Sequence, residues 1–153
     1  MAELAIVYCS VHHGNTKKLL DAVAGACEVD LLDTAQAGKA DLSQYRSVGF
    51  ASGVYMSKLH QSLFDFLDGN PALPKHAFIL YTCGSGTTKG ADSFAERLKA
   101  RGVSVDGIYS CRGYDTFGPF KLVGGISKGH PTQAEIDGGI RFVGNILARK
   151  EET

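Results

Sequence analysis

Apolar runs of strand length alternate with amphipathic helical stretches, and this alternation constrains the chain more than any other feature. The runs are Leu4–Tyr8, Val29–Leu32, Ser47–Ala51, Ala77–Tyr81 and Val103–Tyr109, the last interrupted by Asp106 and Gly107. Leu19, Leu20, Val23 and Cys27 recur at helical spacing, as do Leu59, Leu63, Phe66 and Leu67. So do Ala91, Phe94, Ala95 and Leu98, and finally Ile136, Ile140, Val143 and Leu147. Gly69-Asn70-Pro71 closes the second of these helices and Gly102 the third. Ala40 to Tyr45 reads as a short helix or an irregular segment, with Asp41 as its cap. Strands that are apolar throughout belong to a parallel sheet covered on both faces. Right-handed crossovers then leave one leading topology: an α/β fold with a doubly wound five-stranded parallel sheet, order 2-1-3-4-5, and helices on both faces. The 153 residues are expected to form a single domain, too short for a closed barrel.

Charge and composition exclude several function classes. Sixteen basic and sixteen acidic residues balance, so nothing argues for nucleic acid or an anionic membrane. No apolar run approaches the ~20 residues of a membrane span. The first strand begins within a few residues of Met1, which leaves no room for a signal peptide. Cys9, Cys27, Cys83 and Cys111 are far apart, with neither a C-x-x-C nor a metal-ligand spacing. Reduced thiols in a cytoplasmic protein are expected.

In open sheets of this kind ligands bind outside the carboxyl ends of the strands, where the strand order reverses. Three segments fall there. Ser10 to Thr16 follows the first strand, Ser52 to Lys58 the third, and Thr82 to Thr88 the fourth. The first joins a strand to a helix N-terminus, where unpaired N–H groups and the helix dipole favour an anion. Ser10, Asn15 and Thr16 add side-chain donors, and Gly14 permits close backbone approach. The same residues also read as an ordinary strand-to-helix turn capped by Asn15 or Thr16. Neither G-x-G-x-x-G nor G-x-x-x-x-G-K-[ST] is present; Gly84 to Gly90 has the wrong residue order for the latter. A phospho-accepting receiver needs acidic residues where this chain has Cys9-Ser10 and Ala51-Ser52, so that class is excluded.

With these loops assembled, the sequence resembles the flavodoxin family over nearly its whole length. Tyr8-Cys9-Ser10 followed by Gly14-Asn15-Thr16 resembles the family's FMN phosphate loop, Ser/Thr-x-Thr-Gly-Asn-Thr, with one extra residue and with His12-His13 in place of small residues. Flavodoxin with FMN at its switch point is a standard instance of this fold rule. The resemblance implies that Ser10, Asn15 and Thr16 hold the phosphate, with backbone N–H groups from His12, His13, Gly14, Asn15 and Thr16. It implies that Ser52, Gly53, Val54, Tyr55 and Met56 grip the isoalloxazine from one side. Thr82, Cys83, Gly84, Ser85, Gly86 and Thr87 would grip it from the other. Tryptophan is absent, so Tyr55 or Met56 would do the stacking. A peptide flip at Gly53 would let its carbonyl bond flavin N5–H after the first electron.

The segment Ser57-Lys58-Leu59-His60 also resembles flavodoxin-like protoporphyrinogen oxidases, and Asp115 to Lys121 with Gly124-Gly125 resembles short bacterial flavodoxin-like proteins. The long connection from Arg112 to Gly129 carries Tyr114, Phe117 and Phe120 and is expected to fold over the flavin or form a partner surface. Tyr114, Asp115 and Phe117 are its candidate site residues. No nucleophile–base pair or metal set points to catalysis by side chains. The resemblance implies an FMN-binding electron carrier, monomeric and cytoplasmic, working between redox protein partners. The alternative is an FMN-dependent oxidoreductase acting on a quinone or on protoporphyrinogen; a third class is a binding module that has lost the flavin.

Overall fold

Leu4 to Tyr8 is buried along its whole length, as a strand covered on both faces must be. It is the first element, β1 (Leu4–Tyr8), of a computed structural model that describes residues 2–9, 15–37, 41–55, 58–83, 90–111 and 131–149. There follow α1 (Asn15–Ala26), β2 (Val29–Asp33), α2 (Thr34–Ala37), β3 (Ser47–Tyr55) and β4 (Lys58–Leu59). The remainder is α3 (Gln61–Gly69), β5 (His76–Thr82), α4 (Asp92–Ala100), β6 (Ser104–Cys111) and α5 (Gln133–Ala148). The sheet runs β2-β1-β3-β5-β6, every one of these pairs parallel, with β4 added antiparallel to β3. Apart from that added hairpin, this is the doubly wound order expected from the alternation of runs.

The pleat sends alternate side chains to opposite faces. Leu4, Ile6, Tyr8, Ala51, Phe78 and Leu80 meet Leu19, Leu20 and Val23 of α1 and Ile136, Val143 and Ile146 of α5. Ala5, Val7, Val48, Phe50, Ile79 and Tyr81 meet Leu63, Phe66 and Leu67 of α3 and Phe94, Ala95 and Leu98 of α4. Phe94 sits between Phe50 and Phe64, with ring centroids 4.9 and 5.0 Å away. Gly49 is small for a packing reason, because a Cβ there would stand 2.4 Å from the ring of Phe78.

Several boundaries differ from the sequence expectation. β3 does not stop at Ala51: Ser52 and Gly53 continue the parallel pairing with Tyr81 and Thr82, and Val54 and Tyr55 turn to pair with Leu59 and Lys58. Leu59 is buried in that hairpin rather than in the helix that follows. Of the two readings of the segment before β3, the irregular one holds for residues 41–46; Asp41 accepts from the backbone N–H of Ser43 at 3.0 Å, a local turn that seats Leu42 and Tyr45 in the core. The short α2 is an addition to the expected elements, and it starts where Asp33 accepts the N–H of Ala35 at 2.9 Å. Asp106 and Gly107 interrupt the apolar run because β6 is bulged there. Ala77 faces Val105 while Phe78 faces Gly107, which leaves Asp106 as the extra residue. Its carboxylate meets His76 Nδ1 at 3.0 Å.

Among the described residues no helix is long and apolar enough to cross a membrane, and no group of three or more His, Cys, Asp or Glu side chains is placed to hold a metal ion.

Candidate functional site

At the carboxyl edge of the sheet, β1, β3 and β5 end side by side and α1 begins above them. Cys9 extends β1 by one further bond, its N–H donating to the Ala51 carbonyl at 3.0 Å. The start of α1 is pinned to the end of β5 by a hydrogen bond between the hydroxyls of Thr16 and Thr82, 3.1 Å apart and buried. This bond ties the helix of the first crossover to β5, the fourth strand in the order β2-β1-β3-β5-β6. The N-terminal turn of α1 contains no acidic residue, so no carboxylate of its own offsets the positive end of the helix dipole. Lys17 leans over the ring of Tyr8, 5.3 Å from its centroid, and its ammonium donates to Asp21 at 2.6 Å. That hydrogen bond raises the Lys17 pKa above its ordinary value.

The strand ends of β3 and β5 are drawn together from the other face. A Cβ on Gly90 would stand 2.4 Å from Val54 Cγ2 and 3.3 Å from the ring of Tyr81. The chain entering α4 therefore lies against the end of β3, and only a residue without a side chain fits. Ser52 is fully buried. Its hydroxyl accepts the N–H of His60 at 3.0 Å and donates to the Gly53 carbonyl at 2.7 Å. His60 caps α3, with Nδ1 accepting the N–H of Ser62 at 3.0 Å. Lys58 is exposed and directed to Gln61 Oε1 at 3.1 Å and over the Phe64 ring, 5.5 Å from its centroid.

Three of the four cysteines sit at strand ends: Cys9 after β1, Cys83 after β5, and Cys111 closing β6, with the Cys83 N–H donating to the Cys111 carbonyl at 2.9 Å. The pleat divides them. Cys83 belongs to the α3–α4 face and Cys111 to the α1–α5 face. Burial, reinforced by Glu135, pushes the Cys111 thiol up to about 12. Cys111 therefore carries no thiolate at neutral pH and acts as a small apolar side chain.

Of the sequence-predicted site residues, the structure brings Asn15, Thr16, Ser52, Gly53, Val54, Tyr55, Thr82 and Cys83 to one edge of the sheet. Ser10, His12, His13, Gly14, Met56, Gly84, Ser85, Gly86, Thr87, Tyr114, Asp115 and Phe117 lie outside the described residues, as does the ring of Tyr55. Sequence reasoning missed His60, Ser62 and Thr34 as supports of this edge. A histidine directly before a helical run was the available signal, although histidine is a less common cap than serine or aspartate.

Residues 5–110 match the flavodoxin domain family. An uncharacterized protein of Methanocaldococcus jannaschii is 35% identical over 144 residues, spanning 93% of this chain and 96% of the relative. Among solved structures, a flavodoxin from the domain Archaea superposes with a TM-score of 0.64 at 17% identity, covering 94% of this chain and 99% of the other. A Streptococcus pneumoniae flavodoxin superposes with a TM-score of 0.67 at 17% identity, covering 95% and 98%.

Proposed function

Because the chain belongs to the flavodoxin family, whose function at family level is electron transfer with FMN, we propose that it binds FMN and carries electrons between protein redox partners. The observation that carries this reading is the pinned junction of α1 with β5, which gathers a helix N-terminus free of acidic residues and two strand ends at one edge. Such an edge suits a ligand that is anionic at one end and flat at the other.

In this proposal the backbone N–H groups from His12 to Thr16, with Ser10 and Asn15, hold the phosphate. Thr16 contributes its N–H, and its hydroxyl as well where Thr82 is the donor in the bond between them. Residues 52–56 and 82–87 flank the ring, with Tyr55 or Met56 stacked on it and Tyr114, Asp115 and Phe117 covering an edge. FMN, when bound, supplies the redox chemistry; the chain binds it, orients it and partly excludes water. Lys58 is turned toward Gln61 and Phe64. We place the protein in the cytoplasm, as a monomeric single domain.

The test is an anaerobic titration of the purified protein with FMN, followed by stepwise reduction in the visible range. Stoichiometric binding with two resolved one-electron steps supports the carrier. Direct two-electron bleaching, with turnover of an added quinone or protoporphyrinogen, supports the oxidoreductase instead. Failure to bind FMN at all overturns both.

A further inference from the structure

Near its carboxyl end β3 carries a side chain that bonds to its own backbone and to the start of α3. The Ser52 hydroxyl spends its proton on the Gly53 carbonyl at 2.7 Å and a lone pair on the His60 N–H at 3.0 Å. The bonding extends further back. Thr34 donates to Ser62 Oγ at 3.1 Å, and Ser62 Oγ stands 2.9 Å from His60 Nδ1. His60 Nδ1 also accepts the Ser62 N–H, at 3.0 Å. A chain of hydrogen bonds thus runs from the start of α2, through the cap of α3, to one carbonyl at the candidate site.

A trans peptide is planar, so the Gly53 carbonyl and the Val54 N–H point in opposite directions, and fixing one fixes the other. Gly53 lacks the Cβ that would hinder rotation of this unit; its orientation is set by the pairing of Gly53 with Thr82 and of Val54 with Leu59, to which the Ser52 hydroxyl adds a further restraint. We propose that Ser52 is a positioning residue for the flavin-facing loop, setting whether the 53–54 peptide offers an N–H or a carbonyl to the ligand. The inference rests on the FMN reading above. A ring nitrogen that is an acceptor in the oxidised flavin becomes a donor on reduction. A carbonyl engaged by Ser52 is withheld from that donor, so Ser52 favours the oxidised ligand over the reduced one.

The test compares wild type with Ser52→Ala in two ways: amide hydrogen exchange at His60 in the FMN-free protein, and the ratio of Kd values for oxidised and reduced FMN measured anaerobically. The expected result is about tenfold faster exchange at His60 and a shift of that ratio of about fivefold toward reduced FMN. Faster exchange with a ratio within about twofold of wild type overturns the proposal, because Ser52 is then only a structural support. If neither protein binds FMN, the functional reading falls. In that case this proposal falls with it, whereas FMN binding with unchanged exchange at His60 overturns the Ser52 restraint alone. Should Ser52→Ala fail to fold, Ser52→Cys keeps a similar shape with a weak donor and is judged by the same two measurements.

Discussion

Thr16 and Thr82 meet hydroxyl to hydroxyl in a site that excludes water, and an unmatched partner there is more costly than a missing pair. Thr16→Val is therefore expected to lower stability by about 1–3 kcal/mol. Adding Thr82→Val should recover much of that loss, a non-additivity that urea denaturation of the single and double variants measures. Glycines divide by what surrounds them. Gly49→Ala pushes a methyl to 2.4 Å from Phe78, a fully buried ring, and should cost about 1–3 kcal/mol by overpacking. Gly144, inside α5, has nothing within 4 Å of the point where a methyl would stand. Gly144→Ala should stabilise the protein by about 0.5–1 kcal/mol through helix propensity alone, read as a rise in the urea midpoint. At this scale the sequence was only partly informative. The identity of Thr16 as a candidate site residue was legible, but its hydroxyl's partner, Thr82, depends on a crossover that no local pattern encodes. Ser52 was likewise named as a candidate from its place after the third run, while its bonds to His60 and Gly53 were not legible.

Helix ends are finished by side chains from other elements. Arg46, directly before β3, donates from its guanidinium to the carbonyls of Ile146, Leu147 and Arg149 at 3.3, 3.0 and 2.6 Å. Arg101, just after α4, does the same for Leu67 and Asn70 at the end of α3, both at 2.8 Å. Carbonyls in the last turn of a helix have no partner within it, and a cation there also meets the favourable end of the dipole. Arg46→Met keeps the aliphatic stem and loses these bonds, so α5 should fray and stability fall by about 1–3 kcal/mol, with hydrogen exchange accelerating first in residues 144–149. The five apolar runs and four helical patterns were all visible in sequence because burial writes itself as periodicity. What was not visible were features decided by distant pairing. β3 extends past Ala51 because Ser52 and Gly53 find β5, and the bulge at Asp106 lets Gly107 face the ring of Phe142, where a Cβ would approach to 2.8 Å. The turn after Asp33 does carry a local signal, an acidic side chain bonding two residues ahead, but four residues are too few for a helical period to register.

For the whole molecule, the two faces of the sheet make stability depend on alkaline pH. Burial, with the Asp30 carboxylate that it donates to, pushes the Tyr45 phenol up to about 12 from 10.0, and Cys111 rises to about 12 from 9.0. Both groups are neutral when protonated, and the folded state holds the proton more tightly than the unfolded one. Their contribution is present in full below the unfolded values and is lost as pH climbs toward 12, by up to about 1.4 kcal/mol per pH unit for each group. Denaturation midpoints should fall steadily above pH 9 to 10, and Tyr45→Phe should remove part of that slope. The edge where the candidate site lies was legible from strand order alone, because the reversal of direction between β1 and β3 follows from the alternation of runs. Its internal scaffolding was not, since it is built from hydrogen bonds between residues far apart in sequence. The placing of α5 also bears on how the protein is made. Ile136, Val143 and Ile146 complete the cover over Leu4, Ile6, Phe78 and Leu80, and Arg46 fastens the far end of that helix. A nascent chain on the ribosome can finish every strand through β6 and still have only α1 over that face of its sheet. Translation must run through α5 before that face closes, so this chain reaches its native state as a late, nearly all-at-once event, and until then it depends on whatever shields nascent chains from one another.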